Sequence, residues 1–424
     1  MKLSHTTIHG RSQISGNFTL SESVESAKCA LWAGIMTETP TKITNPPDCK
    51  SLTEVIDQIS FLGAEISTEK VLEIHGEKIS TLAIPKNTKL LPRDAILLWA
   101  ALLAKFKRAG IPKTIIAAYP EIAPVLTAFD VRVELQNEYV VATYESSVSD
   151  RTIEISNVVS YEKRVLVESV ALIMAATSSQ KTKITQVVAS QDHENLTEIF
   201  TKMGVSISGE YPDITVVGVE LLVGISYALP KSVAESLLVM SLVCVSTGDV
   251  TIRDFPTRQL ARMTKRFQEK GATFSIDRDV ARIWSENRRY FPTVQTFEEA
   301  FRLPSEWQTV LCVLGAYSEG ESNLYMHHDV AEHIVPVLIS FGAQVSMLNI
   351  DDDYSEVRVF GPTELHATNV TVTSYEAELC AVLCAQSAKG VSTITSSSYI
   401  ANVHEHIYEK LTTLGMKISH DDEQ

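Results

Sequence analysis

Six times along this 424-residue chain a stretch with helical spacing of apolar residues runs into the same short phrase. An apolar residue is followed by Gly, two variable positions and an apolar residue. The copies are Leu62-Gly63-Ala64-Glu65-Ile66, Phe129-Asp130-Val131-Arg132-Val133, Met203-Gly204-Val205-Ser206-Ile207, Lys270-Gly271-Ala272-Thr273-Phe274, Phe341-Gly342-Ala343-Gln344-Val345 and Leu414-Gly415-Met416-Lys417-Ile418. Asp130 replaces the Gly once, and Lys270 replaces the apolar lead once. Successive copies start 67, 74, 67, 71 and 73 residues apart. So regular a period means one unit used six times, and a repeat constrains architecture more than any local motif does.

The unit has a physical logic. Gly just past a helix closes the last turn in the left-handed conformation. Asp tolerates that conformation less readily, so Asp130 is its stand-in. The alternation that follows starts a half-buried strand. A second marker, a turn and a Thr-rich strand, lies midway in each unit. Its copies are Thr41-Lys42-Ile43, Lys113-Thr114-Ile115-Ile116, Thr182-Lys183-Ile184, Gly248 to Ile252, Glu321-Ser322-Asn323-Leu324 and Val391-Ser392-Thr393-Ile394. Apolar helical runs precede them: Ala30 to Met36, Ala95 to Phe106, Val170 to Ala176, Leu237 to Val245, Val310 to Tyr317 and Leu379 to Ala385. Two helices against several strands form an α/β block of about 70 residues that cannot bury its apolar face alone.

The length favours two or three domains, and six units divide into two sets of three. A hydrophobic content of 45% with 21% charged residues supplies a full core. No apolar stretch reaches the roughly 18 residues of a membrane span, and the start, Met1 to Thr6, lacks the apolar core of a signal peptide. A net charge of −15 argues against nucleic acid or an anionic membrane as partner. One local basic pocket would still admit a small anion. Cys29, Cys49, Cys244, Cys312, Cys380 and Cys384 sit mostly in apolar helical runs without a C-x-x-C pair. They read as small buried hydrophobes in a reducing, cytoplasmic setting.

Six such units in two sets of three resemble the enolpyruvyl transferases, and within them the branch acting on UDP-N-acetylglucosamine. The resemblance covers nearly the whole chain. It is carried by Leu31 to Pro40, Ile43-Thr44-Asn45-Pro46-Pro47-Asp48, Arg93-Asp94-Ala95-Ile96 with Leu103-Ala104-Lys105-Phe106, Gly248 to Ile252, Pro304-Ser305-Glu306-Trp307-Gln308, and Glu409 to Gly415. It implies a two-lobed α/β fold of inside-out barrels, with three βαβαββ-like repeats per lobe around buried helices, facing across a cleft. The first lobe is expected over residues 20–228. The second takes 1–19 and 229–424.

The family reaction moves an enolpyruvyl group from phosphoenolpyruvate to a sugar hydroxyl and releases phosphate. The donor carries a phosphate and a carboxylate, so several cations, ideally forked Arg groups, must hold it. An acid must protonate the methylene carbon and a base must take the hydroxyl proton. Residue by residue, the resemblance places much of this apparatus on other residue types. The family's Lys-Asn pair falls on Val24-Glu25, with Lys28 one helical turn on. The loop bearing a reactive Cys or Asp is shortened around Lys113 to Tyr119, and the Arg after it becomes Tyr119. The uridine-contacting Ser-Val-Gly stretch falls near Val165-Leu166-Val167. Cosubstrate arginines fall on Glu376 and Asn402. Arg93 matches an Arg lining the cleft. Glu306 matches the family's Asp, the proposed base, and Ser305 beside it is a candidate substrate contact. Each has a structural reading too: Glu306 as a first-turn acid favoured by the helix dipole, Arg93 as a partner of Asp94.

The resemblance thus implies a divergent homologue, a pseudoenzyme or impaired transferase, holding a small molecule such as a nucleotide sugar in the interlobe cleft or acting in regulation. It implies no cofactor, and its expected partners include neither nucleic acid nor membrane. One alternative is an active transferase with replacement cations from Lys28, Lys50, Arg258, Arg262 or Lys389. Another is a metal site at His327, His328 and His333 near Asp329 and Glu332, residue types that suit zinc or nickel; the same residues read as a solvated loop. Asp351-Asp352-Asp353 reads as an acidic turn.

Overall fold

The computed structural model describes residues 3–68, 71–144, 149–155, 160–285, 290–300 and 302–422. The chain divides into two compact units, residues 22–230 and residues 1–21 with 231–424. The division falls two residues beyond the positions 20 and 228 expected from sequence.

Each unit is built on three helices with no polar face. In the first unit these are Val24–Gly34, Pro92–Phe106 and Tyr161–Ala176. Every residue from Asp94 to Ala104 in the second of them is buried. Such helices must be covered on all sides. The cover comes from three sheets and from outer helices with a single apolar stripe. Lys50–Phe61, for example, buries Leu52, Val55 and Ile59. In the other unit the inner helices are Val233–Val245, Ser305–Gly315 and Tyr375–Ser387. All six cysteines are buried and unbridged, as expected for small hydrophobes.

The six turns take the conformation that the repeat demands. Gly63, Gly204, Gly271, Gly342 and Gly415 have φ between 90° and 107°, and Asp130 sits at 54°. A strand follows each: Glu65–Thr68, Val131–Gln136, Ser206–Glu210, Thr273–Asp277, Gln344–Asn349 and Lys417–Asp422. All six lie at a sheet edge. Five of the six Thr-rich markers are strands. The second is not. Lys107 ends its helix in the left-handed region at φ 62°. The strand therefore starts at once, as Arg108–Pro112, paired with Tyr139 to Thr143. Lys113–Ile116 then forms one helical turn. The β-branched Thr114, Ile115 and Ile116 suggested a strand, but the sheet register was already filled upstream.

The N-terminal segment is sewn into the second of the two units. Ser4–His9 pairs antiparallel with both Val391–Ser396 and Lys417–Asp422, and Ile14–Thr19 runs parallel to Gly248–Arg253. Among the described residues no helix is long and apolar enough to cross a membrane.

A Cβ on Gly204 would meet nothing within 4 Å, whereas one on Gly342 would lie 2.2 Å from the His366 ring. Gly204→Ala isolates the backbone term and is expected to cost about 1 kcal/mol. Gly342→Ala adds the collision and is expected to cost clearly more. Denaturant midpoints of the two variants check the ranking; equal losses would mean that the turns do not bear the strain.

Candidate functional site

In the first unit, three helix N-termini converge on one guanidinium. Ser23 caps Val24–Gly34 by accepting from the Ser26 N–H, and its hydroxyl also accepts from Gln191 Nε2 at 3.3 Å. This ties that helix to the start of Gln191–Lys202. Arg93 sits in the first turn of Pro92–Phe106, after Pro92. Its guanidinium donates to Glu25 at 3.1 Å and to Asp192, and lies 3.9 Å from Asp94. Behind it Lys28, 3% exposed, pairs with Asp94 at 3.0 Å and with Glu25 at 3.6 Å.

The positive ends of helices favour anions. Here the chain's own Glu25, Asp94 and Asp192 occupy that role. Two cations face three carboxylates, leaving the cluster with an excess negative charge. Burial pushes the Glu25 carboxyl up, but Lys28 and Arg93 outweigh it and hold it below the usual glutamate range. Burial likewise opposes charge on Lys28, and Asp94 and Glu25 more than offset it, raising the ammonium above the usual lysine range. Lys28 therefore points into protein and not toward a ligand. Tyr119, where the resemblance has an Arg, is half-buried, and burial raises its phenol. Nearby, Lys163 is held by Glu121 at 2.8 Å. Burial drives the Cys29 thiol up to about 12, so it is no nucleophile at neutral pH.

In the second unit, Ser305 and Glu306 open the inner helix Ser305–Gly315. The buried Ser305 hydroxyl donates to Glu376 at 2.8 Å, in the first turn of Tyr375–Ser387. The fold thus brings Ser305 together with Glu376, an acid where the resemblance has an Arg. Asn402 instead donates to the Ser397 carbonyl. A further cluster was missed in the sequence. Lys410 pairs with the fully buried Glu235 at 2.9 Å, and Glu235 accepts from the Ser21 N–H at 2.6 Å. Burial raises the Glu235 carboxyl despite Lys410. The partners lie at positions 21, 235 and 410, so no local pattern could signal the contact.

Of the candidate replacement cations, Lys28 lies in the first cluster, already paired with Asp94 and Glu25. Lys50, Arg258 and Arg262 are exposed on outer helices. Lys389 follows the C-terminal end of the 13-residue helix Tyr375–Ser387. That puts it about 20 Å from the Glu376 end. The histidine-based metal reading is overturned. His328 uses Nδ1 on Ser355 at 2.6 Å and Nε2 on the Asp351 carbonyl at 2.8 Å. His333 contacts the Asp329 carbonyl, and His327 caps its helix by accepting from the Asp329 N–H. Among the described residues no group of three or more His, Cys, Asp or Glu side chains is arranged to hold a metal. The aspartates form a turn in which Asp351 accepts from the N–H groups of Asp353 and Tyr354.

Residues 8–325 match the model of EPSP synthase (3-phosphoshikimate 1-carboxyvinyltransferase). A UDP-N-acetylglucosamine 1-carboxyvinyltransferase of Hydrogenovibrio crunogenus is 24% identical, with 97% of this chain and 98% of the relative covered. One from a Psychrobacter species is 26% identical over 97% and 95%. Among solved structures, the enolpyruvyl transferase NikO of Streptomyces tendae superposes over 100% of both chains with a TM-score of 0.85 at 20% identity. EPSP synthase of Acinetobacter baumannii gives 0.72 at 16% identity, over 99% and 100%. The fold is thus the two-lobed inside-out α/β architecture of the enolpyruvyl transferases.

Two outcomes test the cluster. Asp94→Ala leaves the buried Lys28 ammonium only the longer Glu25 contact at 3.6 Å and is expected to cost about 3 kcal/mol in chemical denaturation. Combining Lys28→Met with Asp94→Leu should recover most of that loss. The second concerns acid. An ionised Glu25 with a depressed folded pKa adds stability above its unfolded value of about 4.3. That contribution fades as pH falls through the depressed value. Glu25→Gln should therefore flatten the acid limb of the stability profile; an unchanged limb would show that the carboxylate is not paired.

Proposed function

The chain belongs to the EPSP synthase family, and we propose that it is a divergent enolpyruvyl transferase homologue in which ordinary phosphoenolpyruvate chemistry is lost or strongly impaired. The observation that supports this is the saturation of Arg93 and Lys28 by Glu25, Asp94 and Asp192. A phosphate-bearing carboxylate needs uncommitted cations. Here it would have to displace internal carboxylates and meet Glu25 as a like charge. Losing one partner of a buried charged contact costs about 2–5 kcal/mol. Two such losses, even discounted for non-additivity, weaken binding by at least about a hundredfold.

The whole-length relationship to UDP-N-acetylglucosamine 1-carboxyvinyltransferases supports a nucleotide sugar or a similar metabolite as the retained ligand. Arg93 is the candidate contact in the first unit. In the second, Glu306 and Ser305 would meet a neutral hydroxyl more readily than a phosphate. A ligand role without turnover suits a regulatory or assembly function in a cytoplasmic setting.

Calorimetric titration separates this reading from an active transferase. Phosphoenolpyruvate, alone and with UDP-N-acetylglucosamine present, is expected to show no saturable binding in the micromolar range. Micromolar saturation, or phosphate release with both substrates, would sink the proposal. Restoring cation chemistry with the pair Val24→Lys and Glu25→Asn should raise phosphoenolpyruvate affinity by at least about tenfold, through one added charge and one repulsion removed.

A further inference from the structure

Midway along the inner helix Tyr161–Ala176 stands a carboxylate, Glu168, whose side chain is 2% exposed. A buried carboxylate is strongly disfavoured unless its oxygens are bonded. Oε2 of Glu168 accepts from the Val188 N–H at 2.6 Å, and Oε1 meets Nδ1 of His193. His75, His327 and His406 also meet carboxylates, but those of Glu73, Glu77, Asp329, Asp353 and Glu409 are 28% to 76% exposed. Among the described residues, the pair Glu168–His193 is therefore the one in which an imidazole is anchored on a buried acid.

His193 lies in a turn whose three consecutive residues each reach a different inner helix. Gln191 donates to Ser23, the cap of Val24–Gly34; Asp192 holds Arg93 of Pro92–Phe106; His193 meets Glu168 of Tyr161–Ala176. The imidazole is thus fixed one residue from the contact that holds Arg93. Glu168 receives from Val188 on one oxygen and from Nδ1 on the other, which sets the tautomer. Nε2 of the neutral ring is left as an acceptor. The His193 side chain is 16% exposed, and among the described residues Nε2 has no hydrogen-bond partner and is not enclosed. An imidazole oriented from behind, with its outer nitrogen unclaimed, is built to receive a hydroxyl.

We propose that Nε2 of His193 accepts a hydrogen bond from a hydroxyl of the ligand held at the first unit. The inference rests on the reading above that this ligand is a nucleotide sugar, whose ribose and hexose both carry hydroxyls. The charges nearby favour such a group over an anion. Arg93 and Lys28 are committed to Glu25, Asp94 and Asp192, and a hydroxyl needs no free cation. A mere tie between helices would use the Nδ1 side of the ring and leave the other nitrogen without a task.

His193→Asn separates the two roles. The new amide can donate to Glu168 where Nδ1 does, and it has nothing in the place of Nε2. The expected result is a wild-type denaturant midpoint with UDP-N-acetylglucosamine affinity lowered about five- to tenfold in calorimetry, the worth of one neutral hydrogen bond. His75→Asn, in the same unit, should leave the affinity unchanged. In nitrogen NMR of the full wild-type chain, UDP-N-acetylglucosamine should move the Nε2 signal of His193. Saturable binding that leaves this signal in place overturns the inference alone, whatever the stability of the variant. So does a folded Asn variant that binds as the wild type does. A wild-type chain that does not bind UDP-N-acetylglucosamine overturns the inference together with the nucleotide-sugar reading.

Discussion

A helix that is apolar on every side cannot face water, and six of them set the form of this molecule. Each inner helix, such as Pro92–Phe106 with its unbroken buried run from Asp94 to Ala104, must be enclosed. One repeat supplies a sheet and an amphipathic outer helix, which cover only part of it. Three repeats close around three inner helices, and that happens twice. The left-handed residue after each outer helix turns the chain back into the sheet, so the period of the sequence is the period of the enclosure.

The enclosed helices leave their N-termini as the places where polar chemistry can stand. In the first unit those ends are already neutralised. Glu25, Asp94 and Asp192 take the helix-end and guanidinium interactions that an anionic ligand would otherwise make. In the second unit Glu376 stands where the family resemblance has an Arg, and it accepts from Ser305.

Much of the fold was legible in the sequence because a repeated backbone requirement leaves a repeated residue. Gly at five turns and Asp130 at the sixth all adopt positive φ. The second Thr-rich marker misled, because Lys107 ended its helix early and moved the strand to Arg108–Pro112. The histidines at 327, 328 and 333 suggested ligands by type and spacing, yet their ring nitrogens serve backbone and hydroxyl partners. Arg93 was legible as a candidate, but its commitment to Asp192 was not. That contact joins residues 99 positions apart, in different repeats.

By itself, then, the order of residues determined what each local segment had to be: inner helix, outer helix, left-handed turn and edge strand. Spacing and turn chemistry act over a few residues, and sequence displays them directly. Which charges meet was decided only by the tertiary structure. Whether Lys28 greets a ligand or Asp94, and whether Glu235 finds Lys410, depends on how helices from distant repeats are brought side by side. Coulomb energy depends on distance through space, and separation along the chain does not encode it.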